Sequence, residues 1–110
     1  PLDDSEFVYS RAVLIQKNGI QRGEKYHVQG KETLIGGSSE NAIVINDGAV
    51  SPRHAKIALI RNVYYIFDLI SDGGTFLNGK KLLRPKALHD WDEIRIGRTL
   101  LLFRGFTDRV

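Results

Sequence analysis

Apolar and polar residues alternate with a period of two over most of the chain, the pattern typical of half-buried β-strands. The clearest segment is RNVYYIFDLI, residues 61–70, whose odd-numbered apolar positions would share one face. We predict a strand there, paired through a turn at Arg61-Asn62 with a strand in AKIALI. The same alternation predicts further strands in AVLIQ, KYHV, ETLIG, AIVI, DEIRI and TLLLF.

Short turn signals separate these segments. Asn18-Gly19 and Asn78-Gly79 predict two-residue hairpin turns, because both central positions of a type I′ turn require positive φ. Asp47-Gly48 and Gly73-Gly74 add further turn signals. No window of a dozen residues carries an apolar stripe at helical spacing. Many short strands with regular turns predict an all-β fold, either a sandwich or a barrel, with mainly antiparallel pairing.

Length and composition fit one compact domain. The chain has 110 residues, of which 42% are hydrophobic and 26% charged, and its formal net charge is +3. It contains no cysteine, which favours a cytoplasmic or otherwise intracellular setting, and no apolar run approaches the roughly 20 residues of a membrane span. It begins at Pro1 and has no methionine, so we expect it either to be part of a longer parent protein or to carry a processed end. We expect flexible ends at 1–7 and 107–110 around a domain at 8–106.

Catalytic, nucleotide and metal motifs are weak. GTFLNGKK, residues 74–81, resembles a phosphate loop but lacks the final hydroxyl and a following helix, since Pro85 interrupts the next segment. Ser51 and His54 lack the strand-turn-helix context of a hydrolase nucleophile. The histidines are widely spaced, and the basic run after Asn78-Gly79 has no interleaved aromatic residues. We therefore predict no enzyme, cofactor, metal, membrane or nucleic-acid partner.

Three motifs occur in a fixed order. TLIGGSSENAIVI gives an Ile-Gly loop before a short strand, AVSPRHAKI gives Ser-x-x-His at a strand entrance, and FDLISDGGTFLNG ends a strand before Gly-Thr and Asn-Gly. Followed by ALHDWDEIRIG and LLLF, this order resembles the forkhead-associated (FHA) domain over about residues 8–106. The resemblance implies a sandwich of two twisted sheets with about eleven strands. It also implies a non-catalytic signalling module whose loops at one end bind phosphothreonine segments of partner proteins or of the parent chain.

The resemblance also implies roles for individual residues. Ser51 would donate its hydroxyl to a phosphate oxygen, Thr75 would reach the phosphorylated residue, and Ser38 would donate from the rim. His54 would tie the loops together behind the site, and Asn78 would hold two loops in register. The structural motif implied by the resemblance comprises Gly36, His54, Gly74 and Asn78. A phosphate would offer three acceptor oxygens to the binding residues next to this motif.

Several positions depart from the family pattern. Gly37 stands where the family has a phosphate-binding arginine, Pro52 where it has a basic or amide side chain, and Gly73 where it has an asparagine. Asp90-Trp91-Asp92 replaces an Asp-Gly-Asp turn. A hydrogen bond to a charged group contributes about 1.5–3 kcal/mol. Loss of the arginine alone would therefore weaken binding roughly ten- to 150-fold.

Substitutes for the lost groups are conceivable within the same loops. Gly37 and Gly73 could adopt positive φ and expose backbone N–H groups to an anion. Arg53 would point to the same side as Ser51 if this segment were an extended strand, and could then replace the missing guanidinium. Two functions remain open: phosphothreonine-dependent recognition, or a degenerate FHA scaffold for phosphate-independent interaction or intramolecular regulation.

Overall fold

Eleven β-strands account for the regular structure of the residues that the structure describes. The computed structural model describes residues 7–107, so the expected flexible ends lie outside the described residues except for Phe7 and Thr107. Every segment predicted from alternation forms a strand. The pattern missed three short strands because two or three residues are too few to alternate recognisably. The strands are β1 (Arg11–Gln16), β2 (Lys25–Val28), β3 (Glu32–Gly36), β4 (Ile43–Val44), β5 (Ala55–Ile60), β6 (Val63–Asp68), β7 (Thr75–Leu77), β8 (Lys80–Lys81), β9 (Lys86–Ala87), β10 (Glu93–Ile96) and β11 (Thr99–Phe106).

The strands form two sheets that enclose one core. The six-stranded sheet has the order β2-β1-β11-β10-β7-β8, and the five-stranded sheet has the order β4-β3-β5-β6-β9. All pairs are antiparallel except β3 with β4. The predicted mainly antiparallel β-sandwich is thus confirmed. Within residues 7–107, no helix is both long enough and apolar enough to cross a membrane.

The core forms where the inward faces of the two sheets meet. On β6 the even-numbered Tyr64 and Ile66 are buried, while Tyr65 and Phe67 remain half-buried on the outer surface. The rings of Tyr64 and Phe103 meet edge to face across the core, with centroids 5.7 Å apart. Burial of such aromatic and branched side chains is the main stabilising contribution to a fold of this kind.

Two of the three predicted hairpin turns form. Asn78-Gly79 has φ values of 51° and 84° and joins β7 to β8, and Arg61-Asn62 is likewise left-handed between β5 and β6. The prediction at Asn18-Gly19 was wrong, because residues 17–24 form a longer connection between β1 and β2. The Asn18 side chain instead donates to the Arg98 carbonyl and accepts from the Leu100 amide, at 2.8 and 3.0 Å. It therefore fastens this loop to the β10–β11 turn.

Several connections meet at one end of the sandwich, called here the loop end. They include the β1–β2, β3–β4, β4–β5, β6–β7 and β10–β11 connections. The Gly37 amide donates to the Ser51 carbonyl, and Asp47 accepts from the Arg98 amide. Strand β5 starts here and runs to Ile60 at the opposite end. Ser10 bonds to Phe106 at that opposite end, so both ends of the described chain lie away from the loop end.

Candidate functional site

His54 joins two loops at the loop end. Its ring is fully buried, with Nδ1 accepting from the Ser51 amide at 3.0 Å and Nε2 lying 2.8 Å from the Gly74 carbonyl oxygen. Because Nδ1 accepts an N–H, the proton resides on Nε2 and is donated to Gly74. The β4–β5 loop and the β6–β7 loop are thereby held at a fixed separation.

Asp68 organises the β6–β7 loop from within. Its carboxylate accepts from the Ser71 hydroxyl at 2.6 Å and from the Thr75 hydroxyl at 2.7 Å, and the Ser71 oxygen accepts from the Gly74 amide. Burial alone would raise the pKa of Asp68. The hydrogen bonds from Ser71 and Thr75, with the nearby His54, outweigh that effect and lower the pKa below its usual value. These hydrogen bonds thus favour the charged Asp68 carboxylate beneath the surface of the loop.

Thr75 does not reach the surface. Its side chain is fully buried, and its hydroxyl is committed to Asp68. The expectation that Thr75 contacts a phosphorylated residue was therefore wrong for this conformation. The physical reason is alternation: Thr75 opens β7 with its side chain directed inward, while Phe76 faces outward.

The Ile-Gly loop packs directly on the β4–β5 loop. A Cβ on Gly36 would lie 2.2 Å from the Pro52 carbonyl oxygen, so only glycine permits this approach. Asn41 secures the contact by donating to the same oxygen at 2.6 Å. Sequence reasoning missed Asn41, because its partner is distant along the chain and no spacing rule links the two.

Gly37 and Gly73 differ from the expected anion-binding conformation. Neither has positive φ. The Gly37 amide already donates to the Ser51 carbonyl at 3.0 Å, so it offers no donor to an outside anion, contrary to expectation. Gly73 is exposed, and its N–H has no acceptor in the part of the chain that the structure describes. One of the two expected backbone donors therefore remains free.

Ser51 and Gly73 line the same shallow depression. The Ser51 oxygen accepts from the Asp72 amide at 3.0 Å, which leaves its own proton free for an outside acceptor. Ser38 and Gly37 line an adjoining depression, and Val50 and Pro52 contribute to both. The structure thus brings four of the predicted binding residues to one end: Gly37, Ser38, Ser51 and Gly73.

Arg53 is exposed and makes no hydrogen bond or ion pair with the residues between 7 and 107. The argument that it shares a side with Ser51 was wrong, because residues 52–53 form a bend and β5 begins only at Ala55. Alternation therefore gives no direction for its side chain. Arg53 is therefore an exposed cation in the short segment between Ser51 and β5.

Asn78 lies away from this site, at the far end of β7. Its amide donates to the Asp92 carboxylate and accepts from the Glu93 amide, each at 2.9 Å. It thereby joins the β7–β8 turn to the loop before β10. Among residues 7–107, no cluster of three or more histidines and carboxylates could hold a metal ion.

Acidic and basic groups compete at the loop end. Asp72 is exposed at the rim, and Asp47 lines the adjoining depression. Burial would raise the pKa of Asp47, but hydrogen bonds from the amides of Ala49 and Arg98 and from the Thr99 hydroxyl lower it. These carboxylates oppose an incoming anion, so a cation is needed to offset them.

Lys81 is such a cation, and sequence reasoning missed it. Its stem lies against Gly74, where an added Cβ would be 2.9 Å from Lys81 Cε. The end of this exposed side chain therefore lies beside Gly74, which directly follows Gly73 in the chain. Strand β8 is an exposed edge strand, and the Lys81 side chain occupies the space beside Gly74, seven residues earlier in the chain.

Comparison with known proteins identifies the family. The family model of the FHA domain matches residues 33–97. The chain belongs to the FHA domain family. The glycogen accumulation regulator GarA of Mycobacterium tuberculosis is 30% identical over 92 residues, which cover 84% of this chain and 56% of GarA. The chain thus spans little more than half the length of its mycobacterial relatives.

Solved FHA structures match the whole fold. A domain from a study of phosphothreonine-dependent FHA interactions superposes with a TM-score of 0.81 at 26% identity, covering 92% of this chain and all of that one. EmbR of Mycobacterium tuberculosis, solved with a low-affinity phosphopeptide, gives a TM-score of 0.82 at 27% identity. That match covers 96% of this chain and 28% of EmbR. The two-sheet architecture of this chain is therefore that of an FHA domain.

Proposed function

We propose that this FHA domain is a protein-interaction module that binds a phosphothreonine segment at the loop end. The observation that carries the proposal is the depression in which the Ser51 hydroxyl lies beside the free Gly73 N–H. The ligand is a segment of a partner protein or of the parent chain. A structural neighbour described as phosphothreonine-dependent supports this choice of ligand.

The chemistry of the rim suits a phosphate ester. A phosphorylated threonine carries about −1.5 to −2 charges and three acceptor oxygens. Ser51, Gly73 and Ser38 supply donors, and Arg53 and Lys81 supply positive charge in place of the arginine absent at position 37. Charge-assisted hydrogen bonds of this kind are about twice as strong as neutral ones.

A catalytic role for Ser51 is disfavoured by the same geometry. A nucleophilic serine requires a base that accepts its hydroxyl proton. The His54 nitrogen nearest to Ser51 instead accepts the backbone N–H, and the other ring nitrogen is bonded to Gly74. The ring thus has no free position from which to activate the hydroxyl, which supports recognition rather than turnover.

A second candidate is phosphate-independent interaction through the same loops. The exposed Asp72 carboxylate favours it, because its amide is bonded to the Ser51 oxygen and its charge opposes a dianion. This alternative predicts that phosphorylation of a peptide leaves its affinity unchanged or lowers it. The two candidates therefore differ in whether phosphorylation of a peptide raises its affinity.

The test is a titration of the full chain with degenerate phosphothreonine peptides and their unphosphorylated counterparts, followed by amide NMR shifts. We expect shifts at Ser51 and Gly73 with the phosphorylated set alone. Ser51→Ala and Arg53→Ala should each weaken binding about three- to tenfold, the effect of one or two lost polar contacts. Arg61→Asn is the control, since it removes one positive charge at the opposite end in a residue type that tolerates positive φ. Equal responses to both peptide sets would reject phosphate dependence.

A further inference from the structure

The outer face of the six-stranded sheet is strongly basic. Glu93 is the only acidic residue in its six strands. Directly paired residues of neighbouring strands lie on the same face, and the pairs here combine apolar and basic side chains. The outward pairs include Ile15 with Lys25, Val13 with Arg104, Leu100 with Arg95, and Phe76 with Lys81.

Arginine side chains on this face lie flat on aromatic rings. The Arg95 guanidinium carbon is 4.0 Å from the centroid of the Phe76 ring, and that of Arg104 is 3.7 Å from the Trp91 ring. Stacking fixes the planar groups and lowers the entropy lost when they bind, yet leaves edge N–H donors facing solvent. Arg95 uses one such donor for the Gly97 carbonyl, and Arg104 uses Nε for Asp90. Each guanidinium has further N–H groups, and a guanidinium can bind a carboxylate through two parallel hydrogen bonds.

Trp91 marks one corner of this face at the end opposite the loops. It is 62% exposed, and its φ of 78° lies in the left-handed region that bulky residues rarely adopt. A glycine would fit this turn without strain. Tryptophan and arginine are both enriched among the residues that dominate protein interfaces. The left-handed conformation leaves most of the indole exposed beside the Arg104 guanidinium that stacks on it.

We propose that this basic-aromatic face is a second docking surface, which takes an acidic protein segment carrying aliphatic side chains. Glutamate or aspartate side chains would bind Arg95 and Arg104, and the aliphatic side chains would cover Ile15, Leu100 and Leu102. Charge complementarity decides the sign of the partner, since the outward basic side chains outnumber Glu93, the acidic side chain of these strands, and would repel a basic segment. A nucleic acid fits less well, because the guanidinium groups already cover the ring faces on which bases would stack.

This surface is centred at the end opposite the phosphopeptide site, although Lys81 at its edge also borders that site. Trp91 and Arg104 lie at the opposite end of the sandwich, and the face belongs to strands that contribute neither Ser51 nor Gly73. One FHA domain can therefore hold two segments together, a phosphorylated one at the loops and an acidic one along the sheet. Joining two weak contacts in this way raises overall affinity without any new contact.

The probe is a capped peptide of about eight residues in which glutamate and leucine alternate, long enough to cross the sheet. Binding to the full chain is followed by fluorescence of Trp91, the only tryptophan, and by amide shifts in β10 and β11. Arg95→Glu should weaken binding at least about tenfold. Lys31→Glu, an equal charge change beside β3 on the other sheet, should change it less than about twofold. Trp91→Gly, read by amide shifts, should weaken it at least about fivefold.

Each other outcome overturns the proposal. Absence of shifts at millimolar peptide would show that the face has no such affinity. Equal loss with Arg95→Glu and Lys31→Glu would show attraction by net charge alone. Tighter binding of an oligouridylate than of the peptide at these residues would assign the face to nucleic acid. Loss of peptide binding in Ser51→Ala would show that the probe occupies the loop end.

Discussion

The two ends of this sandwich hold their loops by different means. At the loop end, buried polar groups bond to one another: His54 spans Ser51 and Gly74, and Asp68 holds Thr75. At the opposite end, the turn at Trp91 is held by part-buried contacts around Asp90, which accepts from Arg104 and from the Gly105 amide, by the Trp91 amide bonded to the Phe103 carbonyl, and by the Arg104 guanidinium stacked on the indole. Buried bonds are costly to break singly, whereas exposed contacts contribute little. Substitutions should therefore unfold the first region and merely adjust the second.

The largest expected effect is at His54. His54→Ala would leave the Ser51 amide and the Gly74 carbonyl without partners and open a cavity in a fully buried position. We expect a loss of about 3–5 kcal/mol in the free energy of unfolding, measured by urea denaturation. The control is His27→Ala on exposed β2, which should cost about 0.5 kcal/mol or less. A loss below about 1 kcal/mol at His54 would contradict the view that this ring holds the loops.

The next effect concerns Asp68 and pH. Its pKa is lowered in the folded state, so the stabilisation from its charged form is complete above the unfolded pKa, near 4. It is lost as pH falls through the lower folded pKa. Asp68→Asn should reduce stability at pH 7 by about 1–3 kcal/mol. It should also flatten the decline of stability between about pH 5 and 2.

Urea midpoints across that range measure both quantities. Asp47 and Asp90 also have lowered pKa values, so the variant should keep part of the acid sensitivity. Asp90 can be compared with Asp68 at the opposite end of the sandwich. Burial would raise the pKa of Asp90, whereas Arg104 and the Gly105 amide lower it. A parallel decline in the variant and the parent chain would show that Asp68 gains no stability from ionisation.

The fold could be predicted from the sequence, whereas the candidate site could be predicted only in part. Alternation and turn residues are local signals, and β6 with the Asn78-Gly79 turn followed them. Side-chain direction at loop ends depends on tertiary contacts. Alternation correctly applied buries Thr75, while the bend at residues 52–53 removes the register that was assumed for Arg53. Alternation could thus have indicated the burial of Thr75, whereas strand and loop propensities give no warning of the bend.

Long-range contacts explain the residues that were missed. Asn41 reaches the Pro52 carbonyl across two loops, and Lys81 occupies space left by Gly74. Neither contact produces a periodic or spaced motif in one sequence. Both contacts form only when folding brings separate segments of the chain together, so neither can be recognised in the sequence.

A smaller effect is expected at Lys81. If its ammonium offsets Asp72 at the rim, Lys81→Met should weaken phosphopeptide binding about three- to tenfold while its stem still covers Gly74. Lys80→Met is the matched control. Lys80 is also exposed on β8, but it pairs with Leu77 rather than with Phe76. Calorimetric titration at two salt concentrations measures the affinity and its screening. Equal affinities of the two variants would remove Lys81 from the site.

The smallest effect on stability is expected at Trp91. Trp91→Gly relieves a left-handed residue, which is worth about 1–2 kcal/mol, but removes the stacking on Arg104, worth about 0.5–1 kcal/mol. These contributions oppose one another, so the free energy of unfolding should change by about 1 kcal/mol or less. Urea denaturation followed by circular dichroism measures the change without needing the indole. A loss above about 2 kcal/mol would mean that Trp91 holds this end of the fold as firmly as His54 holds the other. The exposed indole would then be explained by stability alone, without any partner.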